Sequence, residues 1–408
     1  MRAAGWLGRG QSADSNPAGL AAPVWGMMRL RPEFDHPGSP DPWLLWPVLL
    51  LTAWGLVMVY SASIAVAAEA GNPMGFLVRQ LFYALVGVVA AWWVYRLPTA
   101  WWQRNAKWVF LAATFLLLLV LVPGIGKSVN GARRWIGVGP ISVQPAEVMK
   151  LAMAILAADY TVRKFSVMKS LVHGFLPLAS IVIGIGALLL LQPDFGSLVV
   201  ISAIAFGILF LGGLDWRIFA ALFATATVAF AALILLSPYR MARLVAFLDP
   251  WSDPLGKGYQ LTHALIALGR GEWFGVGLGG SIEKLFYLPE AHTDFILAVV
   301  GEELGWAGVA GVALLFGVLL WRIFQIGRRL VQVEAYFAGL AVLGVGLAIG
   351  FQAVINMGVN VGLLPTKGLT LPFMSYGGSA LIMSLVSVAF VMRAEWELRT
   401  LCPVPRPR

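Results

Sequence analysis

The chain has 408 residues, of which 59% are hydrophobic and only 12% are charged, and its mean hydropathy is +0.81. Soluble domains carry about a quarter of charged residues, so this composition excludes an ordinary soluble protein and indicates an integral membrane protein. The net charge of +9 is not arranged as a basic stripe interleaved with aromatic residues on a soluble face, so nucleic acid is not an expected partner.

Ten apolar runs are long enough to cross a bilayer, since a helical span needs about 17–25 residues. The runs are continuous rather than alternating, which excludes the strands of a transmembrane barrel. The sequence therefore predicts an all-α polytopic membrane protein of about ten helices. The predicted spans are 44–64, 76–96, 107–123, 145–162, 174–191, 197–213, 217–237, 295–321, 337–357 and 372–392.

The distribution of Lys and Arg predicts the orientation and the boundaries. More of the 29 basic residues flank the side that holds both termini, and the positive-inside tendency places that side in the cytoplasm. We expect a polar cytoplasmic tail over 1–42, which has no early apolar core of a signal peptide. A single transmembrane domain over 43–395 and a cytoplasmic tail over 396–408 follow.

The predicted outer loops, 124–143, 238–293 and 358–371, are long, and long loops in compact domains are usually functional or disordered. The largest contains Gly275–Gly280, which fits the GxGxxG pattern of dinucleotide sites. No βαβ unit surrounds it, so we interpret it as a flexible loop. The single cysteine, Cys402, excludes a disulfide framework and a metal site built on cysteines.

The segment Tyr287–Ile296 places three ionisable residues, Glu290, His292 and Asp294, at the mouth of an apolar run. Ionisable groups at a membrane surface cost free energy unless they are solvated or paired, so the cluster favours a chemical role. The alternative is that Thr293 and Asp294 cap the following helix. Both interpretations can hold together, and capping alone does not require Glu290 or His292.

Several basic residues lie in the predicted outer loops, against the positive-inside tendency. If they converge, they form an anion site, and the planar fork of arginine suits phosphate. The alternative is that they are scattered, solvated or bound to anionic headgroups. These residues are Arg79, Arg133, Arg134, Arg243, Lys257, Arg270 and Lys367.

Ionisable and polar residues also lie within or between the predicted spans. Glu147 and Lys150 share one helix face at i and i+3, shortly after Gln144, and Asp194 is expected to cap the tight turn between two spans. Intramembrane ionisable residues are functional candidates, and a buried ion pair that joins helices is an equally open interpretation.

No HExxH motif, Ser/His/Asp set or zinc-like spacing is present in the sequence. What remains is a carboxylate base beside candidate phosphate-binding cations at a membrane surface. This combination fits transfer from a lipid-linked phosphate donor. The carboxylate would deprotonate an attacking hydroxyl, while cations or a divalent ion would stabilise the departing phosphate.

Seven segments occur in a specific order along the chain. They are Asn130–Ile136, Gln144–Glu147, Gln192–Gly196, Arg243 with Phe247–Pro250, Tyr287–Phe295, Gly301–Gly305, and Pro365–Gly368 followed by Pro372–Gly378. Through them, residues 44–395 resemble the SEDS family (shape, elongation, division and sporulation) of bacterial cell-wall polymerases, and its division branch more than its elongation branch. The family usually has Ser where Ala146 stands and often has Glu where Phe286 stands.

The resemblance implies a ten-helix fold and a peptidoglycan glycosyltransferase that polymerises lipid II at the division septum, on the outer face of the bacterial inner membrane. Asp294 matches the essential aspartate of the family, which would act as the base. The implied partners are a class B penicillin-binding transpeptidase of the FtsI type and other division proteins of the membrane. A divalent cation, Mg or Mn, is left open, and no other cofactor is expected.

The candidate site residues then fall into groups by role. Asp294 is the expected catalytic residue, supported by Glu290, His292 and Asp194. The expected ligands of the substrate diphosphate are Arg79, Arg133, Arg134, Arg243 and Lys367, and the intramembrane polar residues are Gln144, Glu147 and Lys150.

Two other functions stay open. A lipid II flippase would use the intramembrane residues Glu147, Lys150, Glu302 and Glu303 as a polar path, although the sequence shows no inverted repeat. A scaffold that only recruits a partner would not require Asp294. The unusual carboxylates concentrate at one face, which favours surface chemistry over a path through the membrane.

Overall fold

A computed structural model of the protein describes residues 40–129, 131–138, 141–168, 170–366 and 368–401. Within these residues the chain forms twelve α-helices and one small sheet. The helices are α1 (Pro42–Glu69), α2 (Gly75–Arg96), α3 (Thr99–Leu121), α4 (Pro145–Arg163), α5 (Leu176–Leu191), α6 (Phe195–Leu211), α7 (Trp216–Leu235), α8 (Pro238–Leu248), α9 (Tyr259–Gly271), α10 (Ile296–Gln332), α11 (Tyr336–Asn360) and α12 (Gly378–Leu401).

The predicted helical membrane fold is confirmed. Each predicted span coincides with one of the helices α1–α7 and α10–α12, and eight helices are long and apolar enough to cross a membrane. Helix α6 falls short because it has only 17 residues, whereas α5 is extended to a 21-residue span, Leu171–Leu191, by the π-helical turn Leu171–Phe175 that precedes it. Helix α4 falls short because it carries Glu147, Lys150 and Asp159, all three of which are buried among other helices.

Local sequence signals explain where the helices begin. Asp41 caps α1 by accepting the N–H of Trp43 at 3.0 Å, and a proline occupies the first position of both α1 and α4. Proline suits that position because its missing N–H would have had no partner within the helix. Asp194 caps α6 by accepting the N–H of Ser197 at 3.2 Å, which confirms its predicted capping role.

The centre of the bundle is formed by α4, α6 and α11. A β-carbon added at Gly344 of α11 would lie 2.6 Å from the side chain of Ile208 and 3.0 Å from that of Ala154. Small residues at such crossings let helix backbones approach closely, which is a main source of helix association in lipid. The three helices therefore form a closely packed frame beneath the candidate site.

A three-stranded antiparallel sheet adds to the predicted helical fold. Its strands are β1 (Gly126–Val129), β2 (Ala132–Val138) and β3 (Ile141–Val143), in the order β1-β2-β3. The sheet occupies the outer loop predicted over 124–143. The pairing of β1 with β2 skips Arg134, which lies in a β-bulge beside Arg133, and bulges re-aim side chains next to functional sites.

The ends of the transmembrane domain lie close to the predicted boundaries. Helix α1 begins at Pro42, the last residue of the predicted N-terminal tail, and α12 continues through 396–401, so the predicted C-terminal tail begins inside a helix. Residues 1–39 and 402–408, including Cys402, lie outside the described residues.

Helix α10 is broken at Gly305, whose backbone is non-helical (φ 68°, ψ −167°). The segment between α9 and α10 fills the break, and Val276 donates its N–H to the Glu302 carbonyl at 3.0 Å. The two backbones are so close that a β-carbon at Gly305 would lie 2.5 Å from the nitrogen of Gly275. Gly275–Gly280 is therefore packed against α10 rather than forming the flexible loop that the sequence predicted.

Replacing Gly305 with alanine is expected to destabilise the protein by about 2–4 kcal/mol, because its backbone conformation is almost confined to glycine and the added methyl group meets backbone atoms. The melting temperature in detergent should fall. The matched control is Gly317→Ala in the same helix, where an added β-carbon meets no atom within 4 Å. Equal melting temperatures for the two variants would contradict this role of the break.

Candidate active site

Asp294 lies in the turn immediately before α10, and its side chain is half-buried. The N-cap residue of α10 is Phe295, which offers no side-chain cap, so the predicted capping by Thr293 and Asp294 is not how this helix begins. Thr293 instead donates its hydroxyl to the Glu290 carboxylate at 2.7 Å. Glu290 has φ 57°, a conformation that non-glycine residues rarely adopt, so its surroundings hold the turn in shape.

Two buried asparagines of α11 hold the main chain of Asp294. The amides of Asn356 and Asn360 each donate to the Asp294 carbonyl oxygen at 2.9 Å. Asn360 also accepts the N–H of Ala298 at 3.0 Å. This N–H lies in the first turn of α10 and also donates to the Phe295 carbonyl at 3.0 Å, so Asn360 adds a second acceptor at the start of α10 from a different helix.

The two preceding carbonyls are held by the segment that leads into α12. Ser375 donates its hydroxyl to the Thr293 carbonyl at 2.6 Å, and Tyr376 donates its N–H to the His292 carbonyl at 2.9 Å. Gln80 of α2 donates in turn to the Ser375 carbonyl at 3.0 Å. The carbonyls of residues 292–294 are therefore all bonded from other parts of the chain, which fixes the backbone at Asp294.

The sequence reasoning missed the polar stripe of α11. Gln352, Asn356 and Asn360 follow one another at intervals of four, which places them on one helix face, and this spacing in an apolar helix was the available signal. Gln352 accepts a hydrogen bond from Lys150, which also pairs with Glu147 at 2.7 Å. The stripe therefore connects the buried ion pair of α4 to the turn of Asp294.

Arg134 of β2 lies close to the Asp294 carboxylate. A β-carbon added at Gly368 would lie 3.2 Å from Oδ2 of Asp294 and 3.8 Å from Nη1 of Arg134, so both groups lie within 4 Å of one point. The guanidinium also donates to the backbone carbonyls of Gln192, at 3.2 Å, and Pro193. These bonds hold Arg134 over the turn between α5 and α6.

Asp194 supports that turn from inside the protein. Its carboxylate is buried and accepts hydrogen bonds from the Ser197 hydroxyl at 2.8 Å and the Gln144 amide at 3.2 Å. The main-chain N–H of Gln144 donates to Ser379 of α12 at 3.1 Å. Asp194 and Gln144 therefore join α4, α6 and α12, and they position the residues around Asp294.

Arg79 and His292 both lie beside the aromatic side chain of Tyr376. Arg79 hydrogen bonds the side chain of Tyr376, and the His292 ring lies 5.6 Å from the Tyr376 ring and 4.8 Å from that of Phe76. Burial raises the pKa of Tyr376, against the lowering effect of Arg79. Burial lowers the pKa of His292 below its ordinary 6.5, against the raising effect of the Glu290 carboxylate, so this imidazole is neutral at pH 7.

The structure does not place all of the other predicted cations near Asp294. Arg133 is exposed, whereas Arg134, in the bulge of β2, is half-buried. Arg243 belongs to α8, and its side chain lies outside the described part of the chain. Lys367 also lies outside the described residues, one position before Gly368.

Glu302 and Glu303 fasten the segment between α9 and α10. Both side chains are fully buried; Glu302 pairs with Arg270 at 2.9 Å, and Glu303 pairs with Lys284 at 2.6 Å. Glu303 also accepts the hydroxyl of Ser61 from α1 at 2.7 Å. This geometry supports the interpretation that these carboxylates form structural ion pairs rather than a polar path through the membrane.

Among the described residues, no group of three or more His, Cys, Asp and Glu side chains is arranged to hold a metal ion. The open alternative of Mg or Mn therefore has no ready set of ligands in that part of the chain.

The sequence of this chain is similar to those of known proteins. The family model described as Cell cycle protein, named for FtsW, RodA and SpoVE, matches residues 42–400. A relative from Aromatoleum aromaticum, named "Probable peptidoglycan glycosyltransferase FtsW", is 55% identical over 91% of this chain and 92% of its own. A relative of the same name from Burkholderia thailandensis is 52% identical over 95% of this chain and 85% of its own.

Solved structures share the fold. A chain of a peptidoglycan synthase complex, in which polymerization and crosslinking are coordinated, is 32% identical with a TM-score of 0.72, covering 88% of this chain and 98% of its own. The rod shape determining protein RodA of Thermus thermophilus is 28% identical with a TM-score of 0.63, covering 88% and 97%.

The fold and the site define a polytopic helical membrane protein that holds a carboxylate at the end of its helices. The chain belongs to the family of FtsW, RodA and SpoVE, which confirms the resemblance found in its sequence.

Replacing Asn360 with alanine removes one donor from the Asp294 carbonyl and one of the two acceptors of the Ala298 N–H, which keeps the Phe295 carbonyl at 3.0 Å. We expect a loss of about 1–3 kcal/mol in the free energy of unfolding. Because the position of Asp294 changes, kcat should fall more than KM rises. The control is Asn105→Ala on α3, because the Asn105 amide donates to a carbonyl of its own helix. Melting curves and kinetics of Asn360→Ala that match those of this control would contradict the role of Asn360 in holding Asp294.

Proposed function

We propose that the protein is a peptidoglycan glycosyltransferase that polymerises lipid II, an undecaprenyl-diphosphate-linked disaccharide-pentapeptide, into β-1,4-linked strands. The observation that carries the proposal is the half-buried carboxylate of Asp294, with its backbone held by Asn356 and Asn360 and its oxygen close to Arg134. The names of the relatives support the activity, and their high identity extends over most of the chain.

In the proposed mechanism, Asp294 is the general base. Its carboxylate takes the proton of the acceptor 4-hydroxyl, and that oxygen attacks the anomeric carbon of the donor sugar with inversion. A bond forms between the acceptor oxygen and the anomeric carbon. The bond between this carbon and the diphosphate oxygen breaks, and undecaprenyl diphosphate leaves with the electron pair. A rigid backbone at the base favours this geometry because little motion has to be frozen during reaction.

Arg134 is proposed to stabilise the departing diphosphate. Negative charge develops on the phosphate oxygens as the bond breaks, and a preorganised cation lowers the energy of that state. The carbonyls of Gln192 and Pro193 hold the guanidinium in place before substrate arrives. Its planar fork matches phosphate oxygens, unlike the point charge of a lysine.

The remaining predicted site residues take supporting roles in this proposal. Arg79 and Lys367 are proposed to contact the same diphosphate; Arg79 lies beside Tyr376, and Lys367 precedes Gly368 in the sequence. Neutral His292, with Glu290 next to it, shapes the wall of the site near the acceptor.

Location and partners follow the same reasoning. We place Asp294 on the outer face of the bacterial inner membrane and both termini in the cytoplasm, which is supported by the distribution of Lys and Arg. The proposed site of action is the division septum. A class B penicillin-binding transpeptidase of the FtsI type is the proposed partner, supported by the likeness to a chain of a peptidoglycan synthase complex.

The flippase alternative has less support from the geometry. Its polar path would need Glu147, Lys150, Glu302 and Glu303, and all four side chains are buried in ion pairs. Opening a path would require breaking these pairs, and an uncompensated buried charge costs several kcal/mol.

Asp294→Asn is expected to lower strand formation at least about 10²–10⁴-fold, the range typical for loss of a general base, while the melting temperature stays close to wild type. The assay is glycan-strand formation from purified lipid II, with the protein reconstituted beside its transpeptidase. Asp253→Asn, in an exposed turn of an outer loop, is the matched control and should retain activity.

Residual activity of Asp294→Asn above about a tenth of wild type would refute the assignment of the base. No strands from the wild-type protein, together with transfer of lipid II across liposome bilayers, would favour the flippase.

Arg134→Gln and Arg133→Gln form a matched pair on one strand. Arg134→Gln should lower kcat/KM for lipid II about 10–100-fold, as expected for one hydrogen bond to a charged group, whereas Arg133→Gln at the exposed neighbouring position should change it little. Arg134→Lys should recover part of the loss because the charge remains. Equal losses for both glutamine variants would show that net charge, rather than the position of Arg134, matters.

A further inference from the structure

The segment Trp273–Ile282, between α9 and α10, is an exposed apolar surface that the proposed chemistry does not use. It contains no ionisable residue. Trp273 is 73% exposed, Phe274 85% and Leu278 62%. Clustered large apolar side chains of this kind mark an interaction site, since water is a poor solvent for them.

Helix α10 places this surface at the edge of the membrane. Residues Leu304–Trp321 carry no charge, and Glu303 and Arg322 stand directly before and after them. After the break at Gly305, the helical part from Trp306 to Trp321 is roughly 24 Å long at about 1.5 Å per residue, most of the ~30 Å hydrocarbon core of a bilayer. Glu303 therefore marks the hydrocarbon boundary on the side of Asp294.

The segment is attached to α10 at that boundary. Val276 donates its N–H to the Glu302 carbonyl, and Ala307 donates its N–H to the Trp273 carbonyl, both at 3.0 Å. Trp306, which is 44% exposed, lies at the same level. Tryptophan is enriched at this depth in membrane proteins because its amphipathic ring suits the interface.

The polar groups of the segment are bonded within the protein, as the edge of the hydrocarbon requires. Gly277 donates to the Glu303 carbonyl at 3.0 Å, and Gly280 donates to the Gly277 carbonyl at 2.9 Å. The Glu302 carboxylate accepts the N–H of Ile282 at 2.9 Å. The ion pairs of Glu302 and Glu303 neutralise the charges that flank the segment.

We infer that Trp273–Ile282 is inserted into the bilayer at the hydrocarbon boundary and contacts lipid acyl chains through Trp273, Phe274 and Leu278. The lipid is favoured as occupant because the surface is continuous with the membrane-spanning part of α10 at the depth of Trp306. The chain leads from this segment directly to the turn of Asp294. This inference does not depend on the identity of the reaction.

The test compares two equally exposed positions in the same outer loop. Phe274 is 85% exposed and Leu255 is 86% exposed, but Leu255 has Asp253 and Lys257 beside it and is expected in water. Each is replaced by cysteine in a Cys402→Ser background, labelled with a fluorophore, and studied in lipid nanodiscs without any partner. Trp273→Cys provides a second position if the first variant folds poorly.

At Phe274→Cys, quenching by iodide should be about tenfold weaker than at Leu255→Cys, because an anion is largely excluded from the apolar boundary. Quenching by spin-labelled lipid should show the reverse order. Equal iodide quenching at both positions would overturn the inference. Protection that develops only after the transpeptidase is added would also overturn it, and would assign the surface to a protein partner.

Discussion

The hydrogen bonds from Asn356 and Asn360 to the Asp294 carbonyl are the interaction on which the candidate site depends. They join α11, at the centre of the bundle, to the turn before α10. Because both asparagines are buried, a carbonyl that lost both donors would be left unsatisfied at a cost of about 1–3 kcal/mol. The position of the Asp294 carboxylate is therefore set through its backbone.

A second constraint is the break of α10 at Gly305. The break frees backbone groups of α10, and the segment between α9 and α10 bonds them, so neither is stable in this form without the other. Glu302 and Glu303 anchor the same segment through Arg270 and Lys284. Glu302 and Glu303, which the sequence alone made candidates for a polar transport path, therefore stabilise the fold. Together, the asparagine hydrogen bonds at Asp294 and the break at Gly305 fix the two ends of the segment between α9 and α10.

The predicted spans agree well with the helices because hydrophobic length is a local property that needs no knowledge of neighbours. The sheet over 126–143 was not predicted, since its short strands become stable only through pairing and packing. Gly275–Gly280 was misread as flexible because close backbone approach and flexibility both require glycine. The asparagines of α11 had a visible spacing, but their target lies in a distant part of the chain.

By itself, the sequence determined the membrane class, the positions of the helices, the family, and Asp294 as the candidate base, because these follow from apolar length and from local motifs. The tertiary structure decided which cations lie near Asp294: it brings Arg134 into the neighbourhood of the carboxylate and leaves Arg133 exposed. It also decided that Asn356 and Asn360 hold the turn. The reason is that hydrogen bonds and ion pairs act over a few ångströms, and only the packing of helices brings residues that are distant in sequence within that range.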